Sequence, residues 1–155
     1  MPQTIEQPSA DLTLGYWAIR GLGQPVRFLL AFADAAFSEV RYGLNQDGTT
    51  PDDPRADWFD CKPDIGLPFP NLPYLIDTSG EEEIRVTQSN SVMRYLARRF
   101  DLYGDSEADR VMIDVIQDEA YDFRNQIIKT AYTPERGYHE ALVEFSSTTV
   151  PHYLD

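Results

Sequence analysis

Up to Asp101 the apolar residues alternate between strand-like and helix-like spacing, and beyond it they keep to helix spacing alone. Leu12 to Trp17 is a short apolar run closed by aromatics and predicts a first strand. Val26, Leu29, Leu30 and Ala33 recur on one helix face, with Pro25 near the first helical position, where a missing N–H is tolerated. Val40 to Leu44 predicts a second strand. Asn45 to Pro54 is a polar loop of breakers, and Arg55 to Lys62 predicts a short helix. The prolines of Pro68-Phe69-Pro70-Asn71-Leu72-Pro73 remove donors and exclude regular structure there. Tyr74 to Asp77 and Ile84 to Thr87 predict a hairpin turning over Thr78 to Glu81. Gln88 to Phe100 follows as an amphipathic helix with Val92, Met93, Leu96 and Phe100 on one face.

The order β-α-β, loop, β-β-α is that of one α/β domain, residues 11–101. Residues 1–10, with Pro2, Pro8 and no periodicity, read as a flexible leader. After Asp101, Ser106-x-x-Asp109 has the form of a capping box. It opens a long helical stripe through Met112, Val115, Ile116, Ala120, Phe123, Ile127 and Ala131. Thr133-Pro134 closes that helix and Glu135 to Ser147 starts another, so residues 102–155 read as the first helices of an all-α second domain.

Composition narrows the functions. Thirteen Lys and Arg against 26 Asp and Glu give a net charge of −13 over 155 residues. Such a surface repels phosphate backbones and anionic headgroups, which argues against nucleic-acid and membrane partners. The longest apolar run is far short of the ~18 residues that span a bilayer. The first eleven residues lack the basic and apolar regions of a signal peptide. The single cysteine, Cys61, excludes an internal disulfide and any C-x-x-C redox or zinc motif, which points to the cytosol and to no metal site.

Taken singly, the candidate residues have ordinary structural readings. Tyr16 closing a strand suits a packed core, Gln88-Ser89 before a helix suits a cap, and Arg55 and Lys62 suit solvated charge. Their combination is more specific. Leu14-Gly15-Tyr16-Trp17-Ala18-Ile19-Arg20-Gly21-Leu22, Phe69-Pro70-Asn71-Leu72-Pro73-Tyr74-Leu75-Ile76-Asp77 and Thr87-Gln88-Ser89-Asn90 follow one another at sensible spacing. Together they resemble the glutathione S-transferases, most closely the mu class, over roughly residues 12–134.

That resemblance implies a thioredoxin-like βαβ-ββα fold and a dimeric, cytoplasmic detoxification enzyme. Its chemistry would be transfer of the thiolate of glutathione to small hydrophobic electrophiles, with glutathione as co-substrate and no further cofactor. Tyr16 would stabilise the thiolate as a hydrogen-bond donor. Trp17, Leu22, Asn71 and Leu72, with Pro73 in a cis peptide, would hold the tripeptide, the Leu72 backbone pairing with the cysteinyl unit as an added strand. Gln88 and Ser89, at a helix N-terminus, would receive the γ-glutamyl carboxylate. Arg55, Trp58 and Lys62 would receive the glycine carboxylate. Asp122 would reach the γ-glutamyl amine of glutathione in the neighbouring subunit, Tyr132 would face the electrophile, and Phe69 would wedge into the partner of a homodimer.

The family pattern carries more helices than this chain has after Glu135, which implies a truncated C-terminal domain and an incomplete electrophile pocket. A non-catalytic member of the fold, a ligand-binding or structural module, is therefore the competing reading. A thioredoxin-like redox enzyme is disfavoured, because Tyr16 stands where such an enzyme needs cysteine.

Overall fold

The structure, a computed structural model, describes residues 1–7 and 10–154. Two compact units divide the chain, Met1–Tyr103 and Gly104–Asp155.

In the first unit the strands are β1 (Gln3–Ile5), β2 (Leu12–Trp17), β3 (Phe37–Tyr42), β4 (Tyr74–Asp77) and β5 (Ile84–Thr87), joined in the order β1-β3-β2-β4-β5. The helices are α1 (Gly23–Phe32), α2 (Ala56–Cys61) and α3 (Ser89–Arg99). β2 and β3 pair in parallel from Leu12↔Phe37 to Trp17↔Tyr42, with α1 as the crossover that parallel strands need. β2 pairs antiparallel with β4, and β4 with β5 as the expected hairpin, Tyr74↔Thr87 to Asp77↔Ile84. This is the α/β order that the pattern predicts, and the thioredoxin-like arrangement that the resemblance implies.

Leu12 and Leu14 of β2, Leu75 of β4, Val26 and Leu30 of α1 and Val92 and Leu96 of α3 form one buried cluster. A second gathers Tyr16, Tyr42, Trp58, Leu67, Leu72 and Tyr74. Burying a Leu or Val side chain contributes about 1.5–3 kcal/mol, so the first cluster is what holds α1 and α3 on the sheet.

Two expectations need correction. The segment read as a flexible leader contributes a strand: Gln3, Thr4 and Ile5 pair antiparallel with Arg41, Val40 and Glu39 of β3. Three residues beside a proline carry no period of their own, and the pairing comes entirely from a strand far along the chain. Pro8 and Ser9 of that leader lie outside the described residues. The second strand begins at Phe37 rather than Val40 and ends at Tyr42, because Glu39, a charge that hydropathy reads as surface, is buried between two arginines.

In the second unit α4 (Glu107–Ala131) starts at a true capping box. The Asp109 N–H donates to Ser106 Oγ at 3.1 Å, and the Ser106 N–H donates to the Asp109 carboxylate at 2.9 Å. α5 (Glu135–Glu144) stops short of the predicted Ser147 and continues as a π-helical stretch, Phe145–Thr149, into α6 (Val150–Leu154). Phe123 of α4 packs against the rings of Phe145 and Tyr153 at 6.0 and 5.0 Å between centroids.

Candidate functional site

β2 delivers Tyr16 to its C-terminal end, where the side chain is almost fully buried. The chain then doubles back through Gly21, whose φ of +37° suits glycine. The Leu22 N–H thereby donates to the Tyr16 hydroxyl oxygen at 2.9 Å. A Cβ at Gly21 would lie 2.5 Å from that oxygen, and one at Gly23 would lie 2.6 Å from the ring. Both glycines are thus shaped to the phenol. With one lone pair filled by Leu22, the hydroxyl proton is free to be given to an outside acceptor.

Arg27 of α1 fixes that turn. One guanidinium nitrogen donates to the carbonyls of Ile19 and Arg20, while Nε donates to Glu39 at 2.6 Å. Arg41 closes on the other Glu39 oxygen at 2.8 Å, so the buried carboxylate has a cation on each side. This hub was missed in the sequence. Its only signal was an acidic residue between apolar positions of a strand, with arginines two residues away and on the preceding helix.

The Leu72–Pro73 peptide is cis, as expected. The Leu72 N–H is held by its neighbour, donating to Asn71 Oδ1 at 3.0 Å, so a peptide pairing here would take that bond over from the side chain. Phe69 is 89% exposed at φ +48°, between Pro68 and Pro70. Thr87 ties this loop to β5 by donating to the Pro68 carbonyl at 2.8 Å. Gln88, exposed at φ +71°, turns the chain directly into Ser89 at the start of α3.

On α2 the Trp58 ring stacks on Tyr74 (6.2 Å, 22°) and meets Tyr42 edge-on at 5.2 Å. The Tyr42 and Tyr74 hydroxyls are 3.0 Å apart, and the Cys61 thiol points at Tyr42. Burial first, and then the neighbouring hydroxyl, push the Tyr42 pKa well up, so the pair is neutral and acts as packing. Gly15 makes room for it, since a Cβ there would lie 2.1 Å from the Tyr74 ring. Above this floor the Lys62 ammonium lies 5.9 Å from the Trp58 ring and Arg55 lies 5.3 Å from the Phe59 ring, both poised as cations over aromatic faces. An open cleft of about 540 Å³ runs alongside, lined by Trp17, Ile19, Leu44, Thr50, Pro54 and Arg55 among others.

The first unit therefore brings Tyr16, Trp58 and Leu72 into one cluster, with Trp17 and Leu22 packed on it. Arg55, Lys62, Phe69, Asn71, Pro73, Gln88 and Ser89 belong to the same unit, and two candidates, Asp122 and Tyr132, belong to the second. Asp122 is exposed on α4, and Tyr132 caps the C-terminus of that helix with four-fifths of its surface exposed. Among the described residues no helix is long and apolar enough to cross a membrane.

Residues 12–98 match the family described as glutathione S-transferase, N-terminal domain. Glutathione S-transferase Mu 1 of Rattus norvegicus is 44% identical over 124 residues, covering 80% of this chain and 54% of that protein. Glutathione S-transferase Mu 3 of Homo sapiens is 40% identical over 133 residues, covering 86% of this chain and 55% of that protein. The chain spans about half the length of the curated relatives it matches. Among solved structures, a Fasciola hepatica sigma class GST superposes with a TM-score of 0.68 at 26% identity, covering 92% of this chain and 62% of that one.

Proposed function

The chain belongs to the glutathione S-transferase family, with mu-class relatives, and from that premise we propose that it binds reduced glutathione and presents the sulfur as a thiolate to small hydrophobic electrophiles. The observation that carries this reading is Tyr16: a buried phenol whose oxygen already accepts the Leu22 N–H and whose proton is left for a ligand. A free thiol with a pKa near 8.5 is only a few per cent ionised at neutral pH. Lowering that pKa by about two units takes ~2.7 kcal/mol of preference for the anion. A hydroxyl donated to the sulfur inside a largely dry cluster supplies much of it, because a hydrogen bond to the charged form lowers the pKa.

In this reading the tripeptide lies along the cluster. Its cysteinyl unit meets Asn71, Leu72 and Pro73, its γ-glutamyl carboxylate meets Gln88 and Ser89, and its glycine carboxylate meets Arg55, Trp58 and Lys62. Trp17 and Leu22 flank the sulfur. The positive dipole end at the start of α3 suits the first carboxylate, and the two cations of the α2 segment suit the second. Asp122 acts on the γ-glutamyl amine across a homodimer held by Phe69, and Tyr132 faces the electrophile. No cofactor beyond the co-substrate is required, and the protein works in the cytoplasm.

The test follows the ultraviolet absorbance of the thiolate against pH for glutathione bound to the chain. The bound thiol is expected to ionise near neutral pH. In Tyr16→Phe its pKa should return toward the free value, about two units higher, while affinity changes little. If the bound thiol ionises as it does in free solution, the non-catalytic reading takes over. If Tyr16→Phe abolishes binding and leaves the pKa low, the role given to Tyr16 is wrong.

A further inference from the structure

The strand at the N-terminus has no part in the chemistry just described, yet it is joined to a wall of the cleft. β1 sits at the edge of the sheet, with β3 on one side. The Gln3 N–H continues that ladder by donating to the Leu44 carbonyl at 2.9 Å, where the cleft-lining segment begins. Successive residues of a strand direct their backbone groups to opposite edges, so Pro2 and Thr4 offer theirs on the side away from β3. There the Gln46 side chain meets both. Its carbonyl oxygen accepts the Thr4 N–H at 3.3 Å, and its amide nitrogen donates to the Pro2 carbonyl. A carboxamide has the donor and acceptor of a peptide unit, so Gln46 pairs with the free edge as one residue of a further strand would. β1 is thus gripped on both edges by one stretch of chain, β3 and the loop that follows it. Further along, the Gln7 N–H donates to Ser38 Oγ at 3.1 Å.

The loop so engaged is itself ordered. Asn45 and Thr49 bond each other through backbone and side chain, and Asp47 accepts the Thr49 N–H at 3.0 Å and its hydroxyl at 2.7 Å. It carries Leu44, Thr50 and Pro54 into the cleft and leads directly to Arg55. We infer that β1 and Gln46 form a positioning clasp that holds the segment Gly43–Pro54, and through it Arg55, as the outer wall of the cleft. None of these residues touches the reacting sulfur. Their effect on glutathione rests on the reading above, in which Arg55 receives the glycine carboxylate.

Gln46→Ala removes both outer-edge bonds and leaves the β1–β3 ladder in place, and it is the variant of choice. Two readouts separate the clasp from the glutathione reading. In the ligand-free chain, hydrogen exchange of amides 43–54 is expected to quicken several-fold, about what losing one or two hydrogen bonds implies, while β2 and β4 stay protected. Glutathione affinity should fall by roughly threefold to tenfold with the bound thiol pKa unchanged, since Tyr16 is untouched. Gln46→Glu keeps the acceptor for Thr4 and should fall between. Unaltered exchange at 43–54 overturns the clasp whether or not glutathione binds. Faster exchange there with undiminished affinity overturns its role in positioning Arg55. If the unmodified chain binds no glutathione, the functional reading fails, and the exchange result alone decides whether the clasp exists.

Discussion

Residues Met1–Tyr103 and Gly104–Asp155 use equally regular apolar patterns in different ways. In the first unit Leu14, Val26, Leu30, Leu75, Val92 and Leu96 expose none of their surface. In the second, Met112, Val115 and Ile116 follow the helix period as faithfully, yet each leaves more than half of its surface open, and no residue of α4 or α5 is buried. Period 3.6 therefore announces a helix without announcing burial, because burial needs a second surface to close against. α1 and α3 have that surface in the sheet. α4 has little such cover beyond the stacking of Phe123 on Phe145 and Tyr153, and it relies on local devices: the box at Ser106 and Asp109, and its 25 residues, long enough for helix propagation to offset nucleation.

The largest expected effect breaks the comparison open. Leu75→Ala deletes a fully buried side chain and should cost about 3 kcal/mol, within the range for such cavities. Ile116→Ala, from the same kind of pattern in the second unit, should change stability by less than about 0.5 kcal/mol. Both tryptophans, Trp17 and Trp58, lie in the first unit, so urea unfolding followed by their fluorescence reads that unit and far-ultraviolet dichroism reads both. Equal losses from the two variants would mean that the α4 stripe is covered in solution, and the contrast drawn above would fall.

A second effect comes from a buried charge in the first unit. Burial alone would raise the pKa of Asp77. Hydrogen bonds from Tyr95 at 2.6 Å and from the Ser79 backbone and hydroxyl, with the Arg99 charge, outweigh it and hold the carboxyl below the usual range. The unfolded chain, with an ordinary aspartate pKa near ~3.9, then binds the proton more readily than the folded one. The stability that Asp77 contributes is present above that ordinary value and is lost as pH falls through the lower folded value. Asp77→Asn should cost about 2 kcal/mol near neutral pH and flatten the acid limb of the first unit's stability curve. An unchanged acid limb in the variant would assign that limb to other carboxylates.

How much of this was legible depends on where each signal is stored. β2, β4, β5, α3 and α4 carry their own period and their own breakers, and they could be read directly. β1 could not, since three residues beside Pro2 form a strand only because β3 and Gln46 supply partners some forty positions away. Glu39 misled the boundary of β3 because its burial depends on Arg27 and Arg41, and hydropathy does not register pairing. Among the candidate residues, Tyr16 stands out in the sequence by its place at the end of a strand, in a motif shared with a known family. The glycines moulded to its ring and the Arg27 hub were not found, because they act through contacts that one-dimensional spacing does not encode.

The smallest effect sharpens the comparison from the other side. If α4 rests on local devices, its capping box should matter more than any one apolar residue of its stripe. Ser106 accepts the Asp109 N–H, and Asp109 receives both the N–H of Ser106 and its hydroxyl, at 2.9 and 2.7 Å. Ser106→Ala frees the Asp109 N–H of the first turn and removes the hydroxyl bond to the Asp109 carboxylate, and it should cost about 1 kcal/mol, within the usual range for such caps. The loss should appear as faster hydrogen exchange in the first turns of α4 and a small drop in helical dichroism. Tryptophan fluorescence should not move. The effect should exceed that of Ile116→Ala, whereas in the first unit α1, α2 and α3 have no side-chain cap and stability rests on core residues such as Leu75. If Ile116→Ala proves the costlier of the two, tertiary burial and not the local box holds α4, and the two units obey the same rule after all.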